Sequence, residues 1–146
     1  MSWRLLLLGV LSGCANGAAQ PVPIDTANDA CAYCRMIVSD ARVAAQIVAA
    51  GDEPRVFDDI GCLRDYLARH EMTRDAVVFV ADHRTGEWVH ATHAVYTLAT
   101  GRRTPMASGI VAHADRASRD RDAIAAGGED VAVRAILGDA RERTGR

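Results

Sequence analysis

The sequence predicts an α+β fold. Three observations carry that class. Apolar runs of strand length recur, as in Ala76-Val77-Val78-Phe79-Val80. Leu63, Tyr66 and Leu67 fall on one helical face directly after Asp58-Asp59, a pair suited to capping a helix. A second helical stretch, from Ala114 to Ala126, stops at Gly127-Gly128.

Taken in order, Ile37-Val38 and Arg42 to Ala50 read as strand and close at the turn Gly51-Asp52-Glu53-Pro54. Arg55-Val56-Phe57 then resumes extended structure and completes a hairpin. Asp58-Asp59 opens a helix from Ile60 to His70, and Ala76 to Val80 supplies a buried strand, giving β-β-α-β. Past the turn Asp82 to Gly86, a looser version of this order follows. Glu87 to His90, Val95 to Leu98 and Gly109 to His113 are strand candidates, and Ala114 to Ala126 is helix. Val131 to Val133 is a last strand, with a terminal helix over Ala135 to Arg143. Two small units, about 30–81 and 82–146, share the body of the chain.

The N-terminus combines one basic residue, Arg4, with the apolar run Leu5 to Val10 and then Leu11-Ser12-Gly13-Cys14. The run is shorter than the roughly 20 residues a membrane-spanning helix needs, and it fits a signal peptide over residues 1–13. An aliphatic residue and two small ones before Cys14 resemble the bacterial lipobox, in which that cysteine becomes the acylated N-terminus. Several acyl chains hold firmly where one anchors only marginally. The reading is a lipid-anchored periplasmic protein, with outer-membrane placement a candidate because Ala15 and not Asp follows the cysteine. Residues 14–29, with Gly17, Pro21 and Pro23, read as lipidated end and flexible spacer before the domain at 30–146.

All 17 basic residues are arginine, against 19 acidic residues, for a formal charge of −2. No basic stripe stands out, which argues against nucleic acid as a partner. There is no Ser-His-Asp order, no glycine-rich phosphate loop and no carboxylate pair in an apolar setting, so the chain is not read as an enzyme. His70, His83, His90, His93 and His113 read as surface or half-buried residues, with His90 singled out as a candidate further metal ligand because its strand precedes the Met106 loop.

Sulfur carries the chemistry. Three of the four cysteines lie in the body of the chain, Cys31, Cys34 and Cys62, and an odd number cannot pair internally without remainder. Cys31 and Cys34 are spaced to close around one ion in a turn. Cys34 and Met36 share a face if the segment is extended. Met106, in the Pro-containing loop, can complete a three-coordinate sulfur site. Thiolate and thioether together select monovalent copper. A redox-active Cys31-Ala32-Tyr33-Cys34 pair is the rival, but the preceding Pro-rich segment does not fit the usual βαβ setting. Structural zinc lacks a second ligand pair. Cys62 reads as a small buried residue, a disulfide partner of Cys31 or a candidate further metal ligand, and Met72 as packing.

The ordered set of motifs resembles the NosL family of copper-binding lipoproteins accessory to nitrous oxide reductase. The set comprises Cys14 in its lipobox, Cys31 and Cys34-Arg35-Met36, and Asp40 before Ala44-Ala45-Gln46-Ile47. Further on come Phe57-Asp58-Asp59-Ile60-Gly61-Cys62-Leu63, Thr85-Gly86-Glu87-Trp88, Thr104-Pro105-Met106 and Gly127-Gly128. The resemblance implies two β-β-α-β units, an architecture likened to organomercurial lyase, and copper held at Cys34, Met36 and Met106. It also implies nitrous oxide reductase, or another periplasmic copper acceptor, as the recipient. Two positions depart from the family pattern: Arg35 stands where glycine is common, and His90 where an acidic residue often follows the tryptophan. A copper-sequestering lipoprotein without that client is the alternative function.

Overall fold

The computed structural model describes residues 18–138. The signal peptide, the lipobox with Cys14, and the end of the expected terminal helix lie outside the described residues. Seven strands form two antiparallel sheets. The first unit comprises β1 (Ala45–Val48), β2 (Arg55–Phe57), α1 (Ile60–Leu67) and β3 (Val77–Ala81). β4 (Trp88–His90) then adds to β3, so the first sheet runs β2-β1-β3-β4. The second unit comprises β5 (Val95–Leu98), β6 (Ile110–His113), α2 (Arg116–Asp120) and β7 (Glu129–Val131), with sheet order β6-β5-β7. A short α3 (Val133–Leu137) closes the described chain. In both units the first strand lies between the second and the third. The expected α+β class with two β-β-α-β units is what the chain adopts.

The alternation of side chains explains how the sheets are covered. Ala45, Ile47, Phe57, Val78 and Val80 share one face of the first sheet through the pairs Ala45↔Phe57, Ala45↔Val80 and Ile47↔Val78. They pack with Ile60 and Leu63 of α1, Tyr96, Ile110 and Ala112 of the second sheet, and Ile136 and Leu137 of α3. One core therefore serves both units. The opposite face carries Gln46, Val56, Phe79 and His90, aligned by Gln46↔Val56, Gln46↔Phe79 and Phe79↔His90. Ile24, Val38, Ala44 and Trp88 cluster with Val56 on that side.

Three local expectations change. The segment before Ala45 is a single 3-10 turn, Ala41–Val43, because the Asp40 carboxylate accepts from the Arg42 N–H and draws the backbone out of the ladder. The spacer is docked from Val22 onward: the buried Gln46 amide accepts from Val22 N at 2.9 Å and donates to Val22 O at 3.0 Å. A buried amide needs such partners, and the nearby chain supplies them. Finally, α2 stops at Asp120 instead of continuing to Ala126. The Asp122 side chain accepts from Ile124 N at 3.0 Å and offers the backbone a turn in place of helix. Gly127-Gly128 therefore does not end a helix but turns the chain into β7, with Gly127 at φ +72° and Gly128 so close to Thr97 that a Cβ would lie 2.5 Å from its methyl.

Candidate metal centre

Residues Cys31 to Met36 form a tight loop on the outer edge of β2. Cys31 N donates to Met36 O at 2.8 Å, Arg35 N to Cys31 O at 3.0 Å, and Ala32 N to Val56 O at 2.8 Å. Arg35 takes φ +68°, the left-handed region that glycine enters most easily. The segment is thus a turn and not the extended stretch expected for Cys34 and Met36. Its curvature brings Cys31 and Cys34 together, and the first turn of α1 delivers Cys62 from the other side. The three sulfurs lie within 4.8 Å of one another. All three thiols are free, so the candidate Cys31–Cys62 disulfide is absent.

The electrostatics favour one thiolate in this trio. The Cys31 thiol is pulled well below its ordinary range by a hydrogen bond from Cys62. Burial opposes this, and the backbone N–H groups of Asp58, Cys34 and Tyr33 add to it. Cys34 is pushed up by burial foremost and by the charge on Cys31. Cys62 is pushed up because it donates to Cys31, and by burial as well. S–H donation from its neighbours thus favours the thiolate at Cys31 over one at Cys34 or Cys62. Cys31 and Cys62 are buried, while Cys34 is half-exposed. Sulfurs bound to one ion at about 2.3 Å in a trigonal plane lie about 4 Å apart, inside the envelope already formed. The donor set therefore fits a soft metal ion.

The methionines take a different position. Met36 is 54% exposed and Met106 43%, whereas Met72 packs against the core. The Met106 loop is clamped to the start of α1 by Asp59. One carboxylate oxygen accepts from Met106 N at 3.0 Å; the other accepts from Gly61 N at 2.6 Å and Ser108 Oγ at 2.5 Å. Gly61 is required for this approach, since a Cβ there would meet Ser108 Cβ at 2.7 Å. Asp59 thus caps the helix that bears Cys62 and anchors the Met106 loop. Its neighbour Asp58 accepts from Ser39 N at 2.7 Å through Oδ1, while its buried Oδ2 has no hydrogen-bond partner among the described residues.

His90 does not join the sulfur cluster. It lies on β4, the edge strand farthest from β2, and on the sheet face opposite the core that holds Cys31 and Cys62. Its ring meets those of Phe79 and His93 and Thr92 Oγ1. Two other histidines differ from the surface reading: His83 and His113 are buried beside Asp122. The odd cysteine count was the available signal for Cys62 as a third sulfur, whereas no spacing rule connects His83 to His113.

Fold and site together define an α+β protein with a preassembled cluster of three cysteine sulfurs. The family model described as NosL matches residues 21–140, and the chain belongs to the NosL family. No curated protein and no solved structure matches it. Family membership supports a copper-related accessory role, to which the cysteine trio adds a site capable of holding metal.

Proposed function

We propose that this chain is a periplasmic, lipid-anchored copper(I) chaperone that supplies copper for assembly of the copper–sulfur centre of nitrous oxide reductase. The observation that carries the metal is the graded set of sulfurs. Cys31 and Cys62 are buried, Cys34 is half-exposed, and Met36 and Met106 stand in solvent on loops tied to the cysteines. Zinc sites draw on Cys, His and carboxylates. Thioethers suit monovalent copper, which tolerates low coordination. In this reading Met36 and Met106 meet the incoming ion and Cys34 carries it to the thiolate of Cys31. Transfer outward reverses the order. An acceptor ligand attacks at the exposed side before the buried sulfurs let go. Arg35, beside Cys34, places a fixed positive charge that opposes a resident cation, which suits cargo that must leave.

The test is titration of the full-length protein in detergent against a copper(I)-specific chelator. Wild type is expected to take up one copper per chain. Cys34→Ser should weaken binding by at least tenfold and Met106→Leu by a smaller factor. Retention of full affinity by Cys34→Ser would remove the site. Affinity should also fall with pH, because protons compete for the sulfurs. The client is tested separately, by the copper content of nitrous oxide reductase from a deletion strain grown at limiting copper. A fully loaded reductase in that strain would leave a sequestering lipoprotein as the function.

A further inference from the structure

A second cluster of metal-binding side chains lies at the seam between the two units, away from sulfur. His83 Nδ1 is 2.5 Å from Asp122 Oδ2, and His113 Nε2 is 3.0 Å from the same oxygen. The ligand atoms of all three residues fall within 4.8 Å of one another, and all three side chains are buried. Each comes from a different element. His83 sits in the turn after β3, His113 is the last residue of β6, and Asp122 follows α2. The first lies between two strands of the first sheet, and the other two belong to the second unit.

The surroundings hold these groups in place. His83 N donates to Ala112 O at 2.8 Å, next to an isolated bridge between Asp82 and Ala112. The Asp82 carboxylate accepts from Ala114 N at 2.8 Å and from Ser118 Oγ at 2.7 Å, tying the turn to both flanks of the cluster. The far ring nitrogens, Nε2 of His83 and Nδ1 of His113, are buried without hydrogen-bond partners among the described residues. With no ion bound the Asp122 carboxylate accepts from both near nitrogens, and a bound ion would take the place of those protons, the ring proton moving to the far nitrogen. Two imidazoles aimed at one carboxylate oxygen are more than are needed to satisfy it, and they leave two polar atoms unpaired.

We propose that His83, His113 and Asp122 form a site for a divalent transition-metal ion of the zinc class, which cross-links the two units. Imidazole nitrogen and carboxylate oxygen suit Zn²⁺ and its neighbours and discriminate against monovalent copper. Ligands at about 2.0–2.2 Å around a tetrahedral ion stand about 3.3 Å apart. The observed separations reach that spacing when the three elements part by less than about 1 Å. Water fills the fourth position. The chain then sorts metals by softness, with cargo on sulfur and a structural ion on nitrogen and oxygen.

Cobalt(II) is the probe, because its visible spectrum distinguishes thiolate from nitrogen and oxygen ligands. The full-length protein in detergent, stripped of metal and loaded with one equivalent of copper(I), is titrated with Co²⁺. One ion should bind per chain with tetrahedral d–d bands and no thiolate charge-transfer band. Zn²⁺ should displace it and raise the melting temperature. Asp122→Asn should lower the Co²⁺ affinity by at least tenfold. In wild type, Zn²⁺ should shift the ring nitrogen resonances of His83 and His113, a measurement that decides the matter even if the Asn variant fails to fold. Thiolate bands alone, unchanged affinity in a folded Asp122→Asn variant, or unmoved His83 and His113 resonances would each overturn the site.

Discussion

Replacing Asp59 by asparagine separates the two tasks of this residue. Asparagine is as good an N-cap as aspartate, so its carbonyl oxygen can keep the bonds from Gly61 N and Ser108 Oγ at the position of the present Oδ1. The amide nitrogen then replaces Oδ2 and faces the Met106 N–H, donor against donor, where a 3.0 Å bond now exists. A hydrogen bond to a charged acceptor contributes about 1.5–3 kcal/mol. The Met106 N–H has access to water once the half-exposed loop lifts, so little desolvation cost adds to that. The expected loss is therefore about 1.5–3 kcal/mol, read as a lower urea midpoint at unchanged m and a melting temperature lower by about 5–15 °C. Copper(I) affinity should fall to the level of Met106→Leu, and the double variant should be no weaker than either single one, since both remove the same contact. Stability within about 0.5 kcal/mol of wild type would refute the clamp. Additive losses in affinity would refute its link to Met106.

Further outcomes follow from particular positions. Gly61→Ala, which in an open helix gains up to about 1 kcal/mol, should here destabilise by about 1–2 kcal/mol in chemical denaturation, because the new methyl meets Ser108. Arg35→Gly should leave stability unchanged or raise it by up to about 1 kcal/mol, as the left-handed backbone at φ +68° is relieved. Arg35→Val should lower it, and equal effects of the two variants would contradict the strained turn. His90 should titrate below 6.5 by NMR, since burial, helped by neighbouring His93, holds its imidazole down. The fold favours the neutral ring, so this contribution is complete above pH 6.5 and is lost as pH falls through the depressed value. A midpoint at or above 6.5 would contradict its placement.

Much of the fold was legible because its signals are local. The hairpin around Gly51, the cap at Asp59 and the apolar run of β3 each state their role within a few residues. What escaped depends on side chains competing with the backbone or on contacts distant in sequence. Asp40 and Asp122 each bend the chain by accepting from an amide two residues on, shortening the strand at Ala45 and the helix at Asp120. The Gln46 amide captures a spacer that composition marks as loose. The meeting of Cys31 and Cys34 was readable from their spacing. The trio with Cys62 needed the fold, because only the packing of α1 beside the β2 edge brings residue 62 to residues 31 and 34. The two buried histidines were hidden for the same reason, lying at the ends of separate strands.

The loop from Cys31 to Met36 also has a protective role at a vulnerable border. β2 is an outer strand, and its Val56 carbonyl points away from β1 to the Ala32 N–H. An uncovered strand border invites pairing with another chain and, from there, aggregation. Cys31 and Cys34 thus sit on the segment that shields the sheet from self-association. Swinging that segment open to surrender an ion would bare the border each time. In the proposed chaperone role, exchange by rotation of Cys34 would leave the shield in place, so that metal could pass without baring the border.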